Sequence, residues 1–301
     1  MLRLGAIRFI NTIPIYLGID KKYQQPLLDP LPDFQIYYDV PTALNRAILS
    51  GQLDVSPVSS ACYLKNQDQL TLLDGLSVSS LGSAKSVLFL CNPDFSPQKM
   101  ISIAVPDDSE TSIALLKHCI QNELIALHPG SKNSELDLQY QQYPAGNYKA
   151  ALETYGNVLV IGDAALLINQ DHEQAMPNKQ SVLKDATVYD LSSLWVQNYQ
   201  TPFVFAVWVA RREWAVKNPV LLEKTRRLLC NSRDDFFIKE HWLQQGVALA
   251  KKHSGLQEKT IRHYFTAALN YQLTALHYQS LHQFDKLLNQ GSVKQKSEVS
   301  V

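Results

Sequence analysis

Four stretches of this chain place small polar residues where an apolar run gives way to a helical pattern. They are Asn11-Thr12, Ser59-Ser60, Ser109 to Ser112 (which includes Thr111), and Gly162-Asp163. A helix N-terminus carries unpaired N–H groups and partial positive charge, which suits a carboxylate or phosphate. Four such ends opening on one cleft would bind a small polyanion without any excess of lysine. The same residue types are the preferred N-caps, each stabilising by about 0.5–2 kcal/mol, so capping and ligand binding stand side by side for each one. Asp163, directly before "AALLIN", fits a cap best. Ser109 fits the cap of a helix that Thr111 and Ser112 enter one turn later. Asn11 differs, because "TIP" delays the helix behind it, and such an amide aims at a ligand or a turn hydrogen bond. Arg8 and Lys85 are lone cations beside these turns, placed either to clamp a carboxylate or to stand in solvent.

Other chemistries find no support. There is no phosphate-loop or dinucleotide glycine fingerprint, and "GDAAL" is not a nucleophile elbow. Cys62, Cys91, Cys119 and Cys230 are scattered, without metal-ligand spacing, and read as buried free thiols of a reducing cytoplasm. No metal and no cofactor is expected. His118, within "LLKHC", is expected on the surface or flank of its helix. Lys plus Arg equals Asp plus Glu at 28 each, so no strong field favours nucleic acid or an anionic membrane. The apolar N-terminus is interrupted by Arg3, Arg8 and Asn11 and resembles neither a signal peptide nor a membrane span. The expected partner is a small-molecule ligand, the expected location cytoplasmic, and the expected state monomer or homodimer.

The elements that would hold these turns follow from the apolar pattern along the chain. "LRLGAIRF", "DFQIYYDV", "DVSPVSS", "LTLLDGLSVSS", "AKSVLFLCN", "MISIAVPD", "LDLQYQQYP" and "NVLVI" read as strands. Helical stretches alternate with them; "PTALNRAILSGQLD" is bracketed by Pro41 at its start and Gly51 past its end. Such alternation predicts an α/β fold with parallel sheets and helices on both faces. The long apolar strand "TPFVFAVWVARREWA" breaks the rhythm, and everything after it is helical except an aperiodic tail, "GSVKQKSEVSV". Two apolar strands, 86–90 and 203–209, sit where the chain could leave one lobe and return. The expected domains are a discontinuous first lobe of residues 1–89 and 204–301, with the C-terminal helices, and a second lobe of 90–203. Ligands bind such sheets in the crevice beyond the carboxyl ends of the strands.

The runs "AIRFINTIPIYLG", "PTALNRAILSGQLDVSPVSSACYL", "SVLFL", "IGDAALL", "DLSSLW" and "TPFVFAVWVARR", in this order, resemble the chorismate dehydratase family of the futalosine route to menaquinone. The resemblance runs from about residue 3 into the C-terminal helices. It implies a two-lobed fold of the periplasmic-binding-protein type 2 class used for catalysis. The implied substrate is chorismate, a dicarboxylate, and the implied products are 3-[(1-carboxyvinyl)oxy]benzoate and water. By position, Asn11 matches the family's cleft asparagine and is the expected catalytic residue. Ser59, Ser60, Ser86, Thr111 and Ser112 match its substrate-binding positions, and Thr12 and Asp163 complete the expected binding set. The chain departs from the family at Phe9-Ile10, usually tyrosine-leucine, and at Lys85, where glycine is frequent.

The implied dehydration removes a ring hydrogen and a hydroxyl, and the ring becomes aromatic. The motif-matched positions are Asn, Ser and Thr, none of which is an ordinary base. Two bases remain open: the substrate's own enolpyruvyl carboxylate, held in a reactive conformer, and Asp163. Two other functions also remain open. One is a cytoplasmic carboxylate-binding or sensor protein of the same fold. The other is the sister enzyme 1,4-dihydroxy-6-naphthoate synthase, whose N-terminal "S-P-C-P-N-D" run this chain lacks.

Overall fold

A computed structural model describes residues 1–20, 33–92, 100–128, 130–174 and 186–298. The first part of the chain builds β1 (Leu2–Ile7), α1 (Ile13–Tyr16), β2 (Phe34–Asp39), α2 (Pro41–Leu49), β3 (Val55–Ser59), α3 (Ser60–Lys65) and β4 (Leu70–Ser80). The middle builds β5 (Val87–Cys91), β6 (Met100–Pro106), α4 (Thr111–Gln121), β7 (Asp137–Tyr143), α5 (Tyr148–Tyr155), β8 (Asn157–Ile161), α6 (Gly162–Gln174), β9 (Thr187–Asp190) and α7 (Leu191–Tyr199). The last part builds β10 (Phe203–Arg211), α8 (Arg212–Lys217), α9 (Pro219–Ile238), α10 (Glu240–Ser254), α11 (Glu258–His263), a π-helical turn over Tyr264–Ala268, and α12 (Ala275–Glu298).

Two compact units result. The first comprises Met1–Ser80 and Phe205–Leu273; the second comprises Leu81–Val204 and the chain from Thr274 onward. These bounds differ from the expected ones in two ways. All of β5, with Ser86 before it, belongs to the second unit, because Val87 to Cys91 pair with β8 and β9 there. The last helix also belongs to the second unit. Phe284 of α12 packs edge-on against Trp195 and Phe203, and Gln283 accepts a hydrogen bond from Thr201. The run read as a tail continues this helix to Glu298, as a stretch free of proline can.

Each unit contains one five-stranded sheet of the same plan. The orders are β2-β1-β3-β10-β4 and β7-β6-β8-β5-β9. In the first, β1 runs parallel to β2 and β3, and β10 is antiparallel to β3 with Ala206 opposite Ser59. In the second, β6 runs parallel to β7 and β8, while β5 is antiparallel to both β8 and β9. The sheets are therefore mixed, not purely parallel. The strands that run against their neighbours are β5, which follows the first passage of the chain into the second unit, and β10, within which the chain returns to the first.

Close packing explains two local sequence choices. Gly5 in β1 leaves no room for a side chain, since a Cβ there would collide with Ser56 Oγ of β3. Over the same spot, Tyr16 donates from its hydroxyl to the Gly5 carbonyl at 2.5 Å and accepts from Trp208 Nε1 at 2.9 Å. Burial pushes the Tyr16 hydroxyl far above its usual pKa, so it stays protonated and keeps that donor. Phe203 and Trp208 are fully buried, as expected of a core strand. The thiols of Cys91 and Cys119 are pushed up by burial to about 11 and about 12, which makes them inert.

Candidate functional site

At the carboxyl end of the first sheet, the chain leaves β1 through Arg8 and Phe9 into a 3₁₀ turn over Ile10–Thr12. Thr12 holds this turn closed: its buried hydroxyl donates to the Ile7 carbonyl at 2.7 Å. That hydrogen is committed to the backbone, so what Thr12 offers a ligand is limited to its acceptor side. Pro14 in the first turn of α1 starts the helix where "TIP" delayed it. Asn11 therefore sits on a rigid turn, half-buried, and its Oδ1 is enclosed with no hydrogen-bond partner among the described residues. A buried acceptor left unpaired costs about 1–3 kcal/mol. Behind the same turn lies a cavity of about 330 Å³ lined by Ile7, Arg8, Phe9, Tyr38 and His253 among others, but not by Asn11. Arg8 is largely exposed at its rim, 3.9 Å from Asp39.

Next to β1 in the same sheet, β3 ends at Ser59. Ser59 caps α3, its Oγ accepting from the Cys62 amide at 3.3 Å. The same oxygen accepts from Asn45 Nδ2 at 3.0 Å, and the Ser59 amide donates to Asn45 Oδ1 at 3.1 Å. Asn45 is buried on the inner face of α2 between Leu44 and Ile48. With two N–H donors on one hydroxyl oxygen, Ser59 is fixed as a donor of its own hydrogen. Ser60, the first residue of α3, is fully buried. Capping and a donor role coexist at Ser59, so the two readings of this turn do not compete.

In the second unit, the expected residues gather at one end of the other sheet. Ser86 enters β5, and its carbonyl accepts from the Gly162 amide at 2.8 Å, which ties it to the start of α6. Asp163 lies inside the first turn of α6, after Gly162 at φ +65°, and is not the cap expected from "DAALL". Helix α4 begins at Thr111, with Glu110 in the cap position and no side-chain capping bond. Thr111 and Ser112 are thus its first two residues, both buried, not one turn in, and Ser109 does not cap them. Since β6 and β8 run parallel and β5 runs against β8, the β6 and β8 ends and the β5 start share one sheet edge.

His118 departs from its expected surface position. It is buried, with Nε2 2.7 Å from the Tyr199 hydroxyl and Nδ1 3.0 Å from Asn122 Nδ2. The Asn122 Nδ2 group can only donate, so Nδ1 accepts and Nε2 carries the hydrogen. Burial lowers the His118 pKa. Asn45, Asn169 and Asp190, the residues that hold the site turns, were not singled out in the sequence. A polar asparagine within the apolar stripe of α2 and an aspartate before "LSSLW" were the signals available. Among the described residues no group of His, Cys, Asp and Glu could hold a metal ion, and no helix is long and apolar enough to cross a membrane.

This is the architecture of the periplasmic-binding-protein-like class. A protein of Archaeoglobus fulgidus matches with a TM-score of 0.71 at 16% identity, covering 97% of this chain and 98% of that one. The alkanesulfonate-binding protein SsuA of Xanthomonas axonopodis pv. citri, bound to MOPS, matches at 0.60 and 14% identity, covering 93% and 89%. These likenesses show the fold alone. Within that class, residues 2–290 match the family described as menaquinone biosynthesis, and the chain belongs to it. A relative in Thermus thermophilus, named chorismate dehydratase, is 34% identical over 214 residues, which is 70% of this chain and 70% of that protein.

Proposed function

We propose that this protein is a chorismate dehydratase, a hydro-lyase of menaquinone biosynthesis that acts in the cytoplasm as a monomer or homodimer. The activity named for the Thermus relative supports the reading, and the observation that carries it is the unpaired Asn11 Oδ1. Chorismate at neutral pH is a dianion whose carboxylates only accept hydrogen bonds. Its one donor is the hydroxyl at C4, the group that leaves. A buried acceptor with no protein partner matches that single donor. Asn11 Oδ1 accepts a hydrogen bond from the C4 hydroxyl and fixes the direction of the C–O bond. Ser59, Ser60, Ser86, Thr111 and Ser112 donate to the carboxylates, and Thr12 holds the turn beneath.

In the reaction the base removes the C3 proton, the C3–H electrons form the C3–C4 double bond, and the C4–O bond breaks. The departing hydroxide takes up the proton removed from C3 and leaves as water. The C3 hydrogen is vinylogous to the ring carboxylate, so donors on that carboxylate stabilise the charge that develops. An amide and hydroxyls orient and polarise, but they do not take up a proton at neutral pH. The enolpyruvyl carboxylate of the substrate itself is the base, brought to C3 by positioning worth on the order of 7–11 kcal/mol in well-oriented cases. Asp163 is the competing base, and Asp163→Asn separates the two. Turnover near wild type supports the substrate carboxylate, whereas a loss of orders of magnitude in a folded variant transfers the role to Asp163. The reading as a whole is tested by incubating purified protein with chorismate. A new aromatic product supports it; saturable binding without turnover replaces it with ligand capture.

A further inference from the structure

The turn that leads into Ser86 has an unusual backbone and an unusual clamp. Lys85 adopts φ +60°, a left-handed conformation disfavoured for any residue with a Cβ. What holds it there is Asp190, the last residue of β9. One carboxylate oxygen, Oδ2, accepts from the Lys85 amide at 2.7 Å and from Ser83 Oγ at 2.8 Å. The other, Oδ1, caps α7 by accepting from the Ser193 amide at 2.9 Å and lies 3.4 Å from the Ala84 amide. Asn169 Nδ2 also donates to the Lys85 carbonyl at 3.0 Å, and the Gly162 amide donates to the Ser86 carbonyl at 2.8 Å.

Capping α7 requires one oxygen, which a serine would supply equally well. The second oxygen of Asp190 faces the 83–85 turn, 105 residues away in sequence at Lys85. We propose that Asp190 is a positioning residue for Ser86: its carboxylate holds Lys85 in the left-handed conformation that sets where Ser86 meets the substrate. The inference rests on the proposed role of Ser86 in binding chorismate. It assigns to the aspartate of "DLSSLW" a duty beyond helix capping, and it explains how a lysine is accommodated where a glycine would be unstrained.

Asp190→Ser is the discriminating variant, because it keeps the cap of α7 and removes the reach to the turn. The expected result is a rise of about tenfold in KM for chorismate with a much smaller change in kcat, as loss of a binding contact gives. Two combinations separate positioning from general destabilisation. Adding Lys85→Gly to Asp190→Ser recovers most of the loss, since glycine holds a left-handed backbone without help. In a Ser86→Ala background, Asp190→Ser has no further effect on KM. An unchanged KM, an effect that adds fully to Ser86→Ala, or no recovery with Lys85→Gly overturns the proposal. Backbone amide exchange reads the clamp without any substrate. Exchange at Ala84 and Lys85 accelerates about tenfold or more in Asp190→Ser while the β8 amides stay protected; equal exchange refutes the clamp. If wild-type protein fails to convert chorismate while the amides respond as expected, the assigned activity falls and the clamp stands.

Discussion

Asn45→Leu probes the scaffold of the first unit most cleanly, because leucine nearly matches asparagine in shape and removes only the polar atoms. Both hydrogen bonds between Asn45 and Ser59 disappear, from Asn45 Nδ2 to Ser59 Oγ and from the Ser59 amide to Asn45 Oδ1. The Ser59 amide loses that acceptor in a buried site, at a cost of about 1–3 kcal/mol. Ser59 Oγ keeps its second donor, the Cys62 amide, so its share of the loss is about 1 kcal/mol. Burying leucine instead of an amide returns part of this, which leaves a net destabilisation of about 2 kcal/mol. Denaturant unfolding of wild type and variant under two-state conditions reads that difference directly. Freed from Asn45, the Ser59 hydroxyl turns more widely, so KM for chorismate also rises. A destabilisation below about 0.5 kcal/mol, comparable with an ordinary surface change, refutes the claim that Asn45 holds Ser59.

Lys85→Gly in the otherwise wild-type chain removes a left-handed penalty of about 1–2 kcal/mol and adds about 0.5–1 kcal/mol of backbone entropy cost. Thermal melting is therefore expected to rise slightly or stay level, whereas Lys85→Val melts lower; the reverse order contradicts the left-handed assignment. The second unit carries a pH dependence through His118. Its pKa is lowered on folding, so the unfolded chain takes up the proton first as pH falls. The stabilisation is complete above about pH 6.5 and drains away below it. Protonation also places an N–H on Nδ1 against the Asn122 amide, and Tyr199 and Cys119 offer it no negative charge at this pH. Melting temperature should fall between pH 7 and pH 5, and His118→Phe should flatten that slope; an equal slope in the variant moves the effect elsewhere. Asn11→Ala should lower turnover far more than stability, and normal turnover would remove Asn11 from the chemistry.

Much of the fold was legible because apolar periodicity is a local signal. β4 spans residues 70–80 as read, and the Pro41–Gly51 bracket around α2 marks a helix that ends within two residues of Gly51. What was not legible depends on partners distant in sequence. Strand direction is one case: "SVLFL" and "FVFAVWV" read as strands, but nothing in them says they run antiparallel to their neighbours. β9 is another, four residues whose strand character comes from pairing with β5. Helix α12 joins the second unit because Phe284 finds Trp195 and Phe203 there, a contact no periodicity encodes. At the site, the residue types Asn11, Ser59 and Ser86 were visible, but their holders were not. Asn45 lies 14 residues from Ser59 and Asp190 lies 105 from Lys85. The bury-or-expose choice at His118 likewise turned on Tyr199, 81 residues away.

Chorismate deuterated at C3 shows whether the C4 hydroxyl and the C3 hydrogen are lost together as water. Purified protein should convert it to an aromatic product that lacks both the elements of water and the deuterium and that keeps its enolpyruvyl group. Mass spectrometry and NMR of the product read all three features at once. A product that retains the deuterium, the release of pyruvate, or unchanged chorismate after prolonged incubation would mean that this protein does not dehydrate chorismate across C3 and C4.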